Sequence, residues 1–485
     1  MPMKNGGQYT ERINNNMAHV WLSGEQVKGP LSEHRAFKGL MATQSSMYDM
    51  QCEQAWISKM SYPSPLTGDP VGLSFLQPKT KKDLAARREM MQAWTSKHYG
   101  FMGRSPDYMN TALMAYSAAS GLLEESNPQF AFNLQNYYAY CRDHDITLSH
   151  VFVQPRASRI PNICQMFDLP EPARIVDKNN EGIVIQGTFL LDTQGVTSDE
   201  ILVFPVAPPS ELEENPHAFA FAVPSNWPGI TFLCRESFVG GESSFNYPLS
   251  SRFEEMDTLV FFDHVVVPWD RVFICGDAHV ASRFFEDSHF YIHTGAQIIG
   301  KNIAKTEFLL GTIENLIDVA GMENHAQVIE KVAEVIVALE TLKALQIAAE
   351  KKASRDRWGS MLPDQNALLT ASVYYPKIYP RLIEIIQLIG ASTLIMIPDE
   401  RDFQSEIKEL ILDSMKTVHL NAQQNVQLSR LAWELSVSAF GGRQTVYERF
   451  FFGNAAIVNN RLYNGYQGGE SFKQRVKDFL YGGNE

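Results

Sequence analysis

An arginine, a tyrosine and a histidine are spaced along this chain so that they could converge on one small polar group. Arg104 and Tyr108 share the segment 103–108, and His150 follows some forty residues later in the segment 148–153. Arginine carries a permanent positive charge, whereas tyrosine and histidine can donate or accept hydrogen bonds as neutral groups. The trio could bind an anion, or hold a phenol and favour its phenolate. Local sequence leaves an alternative open: a surface ion pair for Arg104 and a hydrogen-bonded core position for His150.

Local signals indicate which elements carry these three residues. Ser105 is a good N-cap and Pro106 fits the first position of a helix. The apolar and polar residues of the segment 146–154 alternate, which is typical of a strand. The sequence therefore predicts that Arg104 lies just before a helix, the tyrosine in its first turn, and His150 on a strand.

Two further stretches could bind a ligand. In the segment 154–159 a pair of arginines with a hydroxyl between them could hold a pyrophosphate or a carboxylate, although a solvated turn explains it equally well. The segments 440–444 and 449–454 are rich in glycine and aromatic residues, so their backbone could approach a flat ligand closely. The alternative for these is the end of a helix followed by a packed loop.

Several common sites are not predicted. The histidines His289 and His293 are four residues apart, but the glutamate of the HExxH motif is missing. Structural or surface histidines explain this pair, and the segment 143–145, better than a metal site does. We therefore predict no metal. The sequence has no GxGxxG after a strand, no GxxxxGK[ST] loop and no GxSxG. A redox enzyme with this sequence would not hold NAD(P)H in a Rossmann domain.

Composition narrows the class of protein. The chain has 485 residues, of which 45% are hydrophobic and 20% charged, and its formal net charge is -13. This acidic balance argues against nucleic acid and anionic membrane as partners. Five scattered cysteines and the lack of an apolar leader or an 18-residue apolar stretch predict a cytoplasmic protein with reduced thiols.

The pattern of the chain changes twice. Residues 1–145 have helical signals, among them a capping box that begins at Thr80. Residues 146–278 contain short β-branched and aromatic runs punctuated by Gly and Pro, including a hairpin signal at residues 179–182. Residues 279–485 are helical again, with apolar residues repeating in steps of three and four from Val328. We predict a helical domain, an antiparallel β-barrel or sandwich, and a four-helix bundle.

Longer segments of the chain resemble a known family. They extend over most of the sequence and include the run RSPDYMN at residues 104–110. The segments are residues 7–12, 20–25, 75–78, 87–90, 103–110, 198–205 and 262–269. Together they resemble the 4-hydroxyphenylacetate 3-hydroxylase family, the oxygenase components of two-component flavin-dependent monooxygenases.

The resemblance implies an acyl-CoA-dehydrogenase-like fold, usually assembled as a homotetramer. It implies that reduced FAD arrives from a separate NAD(P)H flavin reductase and reacts with O2 to give a C4a-hydroperoxide. The phenol, 4-hydroxyphenylacetate or a related compound in aromatic catabolism, is then hydroxylated at its ortho carbon to a catechol.

The family's functional residues can be placed by motif. Arg104, Tyr108 and His150 match the residues around the phenolic hydroxyl, as catalytic and substrate-binding groups. The flavin-binding residues implied by the resemblance are Arg156, Ala157, Ser158, Arg159, Thr193, Phe452, Gly453, Asn454 and Ala455.

Two loops of this chain depart from the pattern of the family. Family members commonly have Gln, an aliphatic residue and Asn or Asp before the last arginine of the first flavin loop, whereas this chain has Arg156, Ala157 and Ser158. The loop after Pro205 has no assignable pattern for the acid end of a substrate.

Two other functions remain as alternatives to the monooxygenase. One is a radical dehydratase of the 4-hydroxybutyryl-CoA dehydratase type, which needs an iron–sulfur cluster, and the other is a non-catalytic flavin-binding protein.

Overall fold

The N-terminal part of the chain is mainly helical, as predicted. The computed structural model describes residues 3–155, 172–205, 214–466 and 468–482. The helices of this part are α1 (Gly6–Asn16), α2 (Lys38–Cys52), α3 (Ile57–Met60), α4 (Lys81–His98), α5 (Pro106–Ala118) and α6 (Pro128–His144).

Two of the predicted helix starts differ in how they are capped. The Thr80 hydroxyl accepts the backbone N–H of Asp83, and the Asp83 carboxylate accepts that of Thr80, so the predicted capping box before α4 is confirmed. Ser105 occupies the predicted N-cap position of α5, but its hydroxyl makes no capping hydrogen bond. It accepts a hydrogen bond from the side chain of Gln297 at 3.3 Å instead.

The strands form two main sheets among the described residues. One has the order β2-β1-β10-β11-β7-β6 and the other the order β12-β9-β8-β5, while β3 with β4 and β13 with β14 make small pairs. The strands are β1 (Val20–Leu22), β2 (Glu25–Gln26), β3 (Ser61–Pro63), β4 (Pro70–Gly72), β5 (Leu148–Val151), β6 (Arg174–Lys178), β7 (Gly182–Thr193), β8 (Glu200–Val203), β9 (Phe219–Pro224), β10 (Ile230–Cys234), β11 (Asp257–Pro268), β12 (Val272–Cys275), β13 (Ser354–Arg355) and β14 (Met361–Leu362).

The two main sheets pack against each other through aromatic side chains. Phe189 of the larger sheet lies 6.5 Å, ring centroid to centroid, from Phe219 of the smaller sheet, and Phe262 lies 5.9 Å from Phe221. The predicted hairpin is confirmed, since β6 and β7 pair antiparallel. The described strands do not form a closed barrel. The prediction that all strands pair antiparallel was wrong. The pairs β1–β10 and β5–β8 are parallel, because β1 joins from the N-terminal region and β5 reaches β8 only after the chain has crossed to the other sheet.

The C-terminal part is helical, as predicted. Its heptad-like pattern buries Val335, Leu339 and Leu342 against neighbouring helices. The helices that follow α6 in the described residues are α7 (Ser250–Phe253), α8 (Ala278–Asp287), α9 (Phe290–Ala320), α10 (Ala326–Lys351), α11 (Gln365–Gly390), α12 (Lys408–Met415), α13 (Ala422–Ser436), α14 (Ala439–Phe450), α15 (Ala455–Gly465) and α16 (Gly469–Tyr481).

Packing between the three parts brings the start of α5 into the interior. Helix α5 contacts α9 on one side and strand β5 on the other, and α11 packs against α14 and α15. The division at residues 145 and 278 remains a prediction. Within the described ranges, each helix is too short or too polar to cross a bilayer.

Candidate active site

The structure brings Arg104, Tyr108 and His150 together. The Arg104 guanidinium carbon lies 4.3 Å from the centroid of the Tyr108 ring. The centroids of the Tyr108 and His150 rings are 5.8 Å apart, with the ring planes inclined at 43°. The convergence predicted from their spacing is thus present, and the surface ion pair considered for Arg104 is not among the ion pairs of the described residues.

Hydrogen bonds of its backbone hold Arg104 in place ahead of α5. Its N–H donates to the carboxylate of Glu255 at 2.7 Å, and its carbonyl accepts from the side chain of Gln194 at 3.2 Å. Gly103 packs directly against the ring of Tyr447, whose hydroxyl would lie 2.0 Å from any Cβ at this position. A glycine is therefore required before Arg104 while Tyr447 keeps its place.

The Arg104 side chain is surrounded by aromatic faces. Its guanidinium carbon is 4.5 Å from the ring centroid of Phe451 and 5.8 Å from that of Tyr447, in addition to the contact with Tyr108. Nε and Nη1 are buried and have no hydrogen-bond partner among the described residues. A desolvated cation with unpaired donors strongly favours an acceptor that carries negative charge.

His150 is buried beside this cation. It lies on β5 in register with Leu202 of β8, and its ring packs 4.6 Å from Phe204 and 5.6 Å from Phe152, centroid to centroid. Burial, with a smaller contribution from the charge of Arg104, lowers the pKa of His150 well below its ordinary value. The imidazole is therefore neutral at physiological pH. Its Nδ1 is buried and has no partner within the part of the chain that the structure describes.

The predicted flavin residues that the structure describes come from two segments, Thr193 and residues 452–455. Thr193 ends β7 and is buried, and its hydroxyl donates to Asp257 at 2.7 Å. Asp257 in turn accepts two hydrogen bonds from Arg443, which is also paired with Glu255. Burial opposes ionisation of Asp257, but Arg443 and then Arg235 outweigh it, so its pKa lies well below the ordinary value. A chain of ionic contacts thus joins the Thr193 side of the site to the backbone of Arg104.

The second predicted loop follows α14. Phe452 packs on Phe451 with 5.0 Å between ring centroids, and the Phe451 centroid is 5.7 Å from that of Tyr108. Gly453 has φ +110°, a backbone conformation that favours glycine, and a Cβ there would be in ordinary van der Waals contact with Ile457 at 3.6 Å. The Asn454 side chain caps α15 by accepting the N–H of Ile457 at 3.0 Å.

Some predicted positions are outside the described residues. They are Arg156, Ala157, Ser158 and Arg159, and the loop after Pro205. The two histidines with helical spacing are separate from the site: His289 faces Asp356 at 3.3 Å. Within the described ranges no three His, Cys, Asp or Glu side chains are grouped as metal ligands.

Sequence reasoning missed several residues that build the site. Phe451 lies in the aromatic stretch that the sequence singled out, and Tyr447 is one turn before it, so helical spacing could have found the pair. No local sequence pattern indicated Glu255 or Gln194, because both contact the backbone of Arg104, which is distant from them in sequence. Phe204 was visible only as a member of an apolar strand run.

Family models match nearly the whole chain. The model for the N-terminal part of 4-hydroxyphenylacetate 3-hydroxylase matches residues 5–274, and the model for its C-terminal part matches residues 281–481. The oxygenase component of 4-hydroxyphenylacetate 3-monooxygenase from Geobacillus sp. is 44% identical, over 99% of this chain and 97% of its own. A probable 4-hydroxyphenylacetate 3-monooxygenase from Bacillus subtilis is 42% identical over the full length of both chains.

Solved structures agree with these sequence matches. The oxygenase component of 4-hydroxyphenylacetate 3-monooxygenase in complex with FAD is 38% identical, covers 99% of this chain and 98% of its own, and superposes with a TM-score of 0.92. The complex with FAD and 4-hydroxyphenylacetate has a TM-score of 0.91 over 98% of both chains. An archaeal 4-hydroxybutyryl-CoA dehydratase has a TM-score of 0.87 over 99% of this chain and 95% of its own but is 18% identical, a likeness of fold alone.

Proposed function

Because this chain belongs to the 4-hydroxyphenylacetate 3-hydroxylase family, we propose that it is the oxygenase component of a two-component monooxygenase. It uses reduced FAD and O2 to hydroxylate a phenol, 4-hydroxyphenylacetate or a close relative, at the ortho carbon. The observation that carries the proposal is the pair of buried Arg104 donors, without a partner among the described residues, beside the neutral ring of His150. The radical-dehydratase and flavin-storage alternatives have no comparable support.

Arg104 and His150 bind the phenolic oxygen in this proposal. The guanidinium donates to it and stabilises negative charge that develops on it, while the neutral imidazole can accept its proton in a hydrogen bond. A phenolate pushes electron density onto its ortho carbon, which makes that carbon nucleophilic. A charge-assisted hydrogen bond of this kind contributes about 1.5–3 kcal/mol.

Tyr108 orients the guanidinium, and the aromatic walls exclude water. The rings of Tyr108 and Phe451 lie 4.3 and 4.5 Å from the guanidinium carbon, which limits its rotation and keeps its edge directed at the ligand. Phe152 and Phe204 cover His150. A dry, aromatic pocket strengthens the charge interaction and keeps water away from the reacting oxygen.

The described residues fit a flavin between Thr193 and the turn at Gly453. Thr193 is buried with its proton already donated to Asp257, so its oxygen remains an acceptor, and Gly453 and Ala455 line a cavity of about 430 Å³. When bound in its reduced form, FAD supplies the activated oxygen atom. In this proposal the flavin is also bound by Phe452, Asn454 and Ala455, and by Arg156, Ala157, Ser158 and Arg159.

We propose that the enzyme works as a cytoplasmic homotetramer, in which the C-terminal helices include an acyl-CoA-dehydrogenase-like four-helix bundle. Large apolar side chains on the last helices support this, since they are exposed in the single chain. They include Tyr463 at 82%, Phe479 at 88% and Tyr481 at 75% exposure. Light scattering should give four times the chain mass, and a monomer would contradict the assembly. The reduced flavin comes from a separate NAD(P)H-dependent reductase.

One reconstituted assay tests the function. The purified protein is supplied with a generic flavin reductase, NADH, FAD and air, and 4-hydroxyphenylacetate, phenol, chlorophenols and tyrosine-like compounds are screened for catechol products. Catechol formation that needs both FAD and O2, and fails in the variant Arg104→Met, is the expected result. Flavin binding without phenol-dependent product from any of these compounds would favour a flavin-storage protein.

A further inference from the structure

A buried ionic cluster lies behind the aromatic wall of the site, and the reaction as proposed does not use it. Lys301 and Lys305 of α9 both donate to the same carboxylate oxygen of Glu448 on α14, each at 2.5 Å. Lys305 also donates to Gln444 at 2.7 Å. All four side chains are almost completely buried. Two ammonium groups and one carboxylate leave one positive charge in excess, and an uncompensated buried charge is costly.

The polar groups that surround this cluster do not neutralise it. Tyr375 and Tyr379 have buried hydroxyls without a partner among the described residues. Burial, helped by the charge of Glu448, raises the pKa of both phenols well above the ordinary range, so neither is an anion. Burial and the nearby lysines lower the pKa of His98 to about 3, so it adds no charge. Burial lowers the pKa of both lysines, that of Lys305 to about 8, and the charge of Glu448 opposes this, so the excess positive charge is present at and below neutral pH.

Lys301 and Arg104 contact the same two aromatic rings. The Lys301 ammonium lies 5.6 Å from the ring centroids of both Tyr447 and Phe451. The Arg104 guanidinium carbon lies 5.8 and 4.5 Å from the same two centroids. Since both cations lie this close to the Phe451 centroid, they are no more than about 10 Å apart. At that separation in a protein interior, one unit charge still changes the ionisation of another group measurably.

The groups that face Lys301 come from several elements. They are Glu448 on α14, Lys305 on its own helix, Arg104 before α5, Glu255 before β11 and His98 at the end of α4. Glu255 is the only further anion among them. Its oxygens are already engaged by Arg443, Gln194 and the backbone N–H of Arg104. Its charge acts on Lys301 and helps to keep that lysine protonated, while its own ion pair with Arg443 offsets it at the aromatic wall.

Building on the proposed function, we propose that Lys301 is a second cation of the site, which acts with Arg104 through the Tyr447–Phe451 wall to favour the anionic form of a bound phenol. Lys301 does not touch the ligand, so it is a positioning residue and not a catalytic one. Its neighbour Lys305 faces the rings of Phe101 and Tyr379 instead, 5.2 and 5.4 Å away, on the far side of the cluster.

This difference between the two lysines provides a matched pair of variants. Lys301→Gln and Lys305→Gln each remove one positive charge, and each leaves one lysine paired with Glu448. The probe is 4-nitrophenol, which ionises near neutral pH and whose anion absorbs visible light. The pKa of the probe bound to the oxidised-FAD holoenzyme is obtained by difference absorbance across a pH series, without turnover.

We expect Lys301→Gln to raise the pKa of the bound probe by about 0.5–1 unit, from one charge at roughly 10–12 Å. Lys305→Gln should shift it by less than half as much, and Lys301→Arg should restore the wild-type value. Equal shifts in the two Gln variants, or no shift in Lys301→Gln, would overturn the role of Lys301. If Lys301→Gln does not fold, Lys301→Met carries the same expectation.

Failure of the proposed function has a different signature in this titration. Two results would refute the proposed phenol site: no binding of 4-nitrophenol by the wild-type holoenzyme, or an unchanged pKa of the bound probe in Arg104→Met. Either result would also refute the role of Lys301. If Arg104→Met raises the pKa of the bound probe and Lys301→Gln does not, the proposed phenol site is supported and only the role of Lys301 is refuted.

Discussion

Two buried arginines of this protein are hydrogen-bonded in opposite ways. On α4, Arg87 donates to the carbonyls of Ser74 and Leu76 at 2.8 Å each and to the hydroxyl of Thr111 at 2.6 Å. Arg104, only 17 residues later in the chain, leaves its buried Nε and Nη1 without a partner among the described residues. The first guanidinium ties together the loop before α4 and the helix α5. The second lies between ring faces, and within the described ranges its Nε and Nη1 are left to bind a ligand.

The contrast separates structural from functional burial of the same residue type. A buried donor without a partner costs roughly 1–3 kcal/mol, more when it is charged. A protein that keeps two such donors on one side chain gains something from them in another state, here the bound one. Removal of Arg87 should therefore damage folding, and removal of Arg104 should damage chemistry.

The largest expected effect is the loss of hydroxylation in Arg104→Met. Two charge-assisted hydrogen bonds to a developing phenolate contribute about 3–6 kcal/mol together, so the single-turnover rate should fall roughly 10²- to 10⁴-fold. The thermal midpoint should stay the same or rise, since the buried Nε and Nη1 have no hydrogen-bond partner in the part of the chain that the structure describes. Arg104→Lys keeps the charge and should retain part of the rate. A full hydroxylation rate in Arg104→Met would contradict the conclusion that Arg104, unlike Arg87, is buried for the reaction.

The converse effect is expected for Arg87→Met. It leaves the carbonyls of Ser74 and Leu76 and the Thr111 hydroxyl without their buried donor, so the free energy of unfolding should fall by about 3–5 kcal/mol, measured in urea. The hydroxylation rate per folded molecule should remain within about twofold of wild type. An unchanged stability together with a large loss of rate would mean that Arg87, too, serves the reaction.

The sequence predicted a good part of this arrangement. The helix start at Pro106 and the strand that carries His150 follow from local capping and alternation, so both were predicted where the structure has them. The parallel pairing of β5 with β8 could not be predicted locally, because the partner strand lies some fifty residues away. Glu255 was missed for the same reason, since its contact with Arg104 is a backbone N–H that any residue would offer.

An intermediate effect is expected for His150→Ala. The variant loses one hydrogen bond to the phenolic oxygen, which corresponds to a rate roughly 10- to 100-fold lower. The reaction should also become uncoupled, with hydrogen peroxide released in place of catechol. Product and peroxide are measured together in the reconstituted assay. Full rate and full coupling in this variant would assign the phenol contact to Arg104 alone.

The smallest expected effect is on how the free energy of unfolding depends on pH, and it tests whether the ring beside Arg104 is neutral. Burial, and to a lesser degree the charge of Arg104, holds the pKa of His150 below its ordinary value of 6.5. The unfolded chain therefore takes up a proton below pH 6.5 that the folded chain does not, so the stability contributed by the neutral ring is present above that pH and lost as the pH falls.

In His150→Gln this contribution is absent. Between about pH 5 and 6.5, the free energy of unfolding of the variant should fall less steeply than that of wild type, by up to about 1.4 kcal/mol per pH unit. His98 and His293, whose pKa values burial also lowers, to about 3 each, titrate identically in both proteins and cancel in the difference. Parallel slopes would mean that the pKa of His150 in the folded protein lies at its ordinary value of 6.5. The lowering of that pKa by burial would then have to be abandoned.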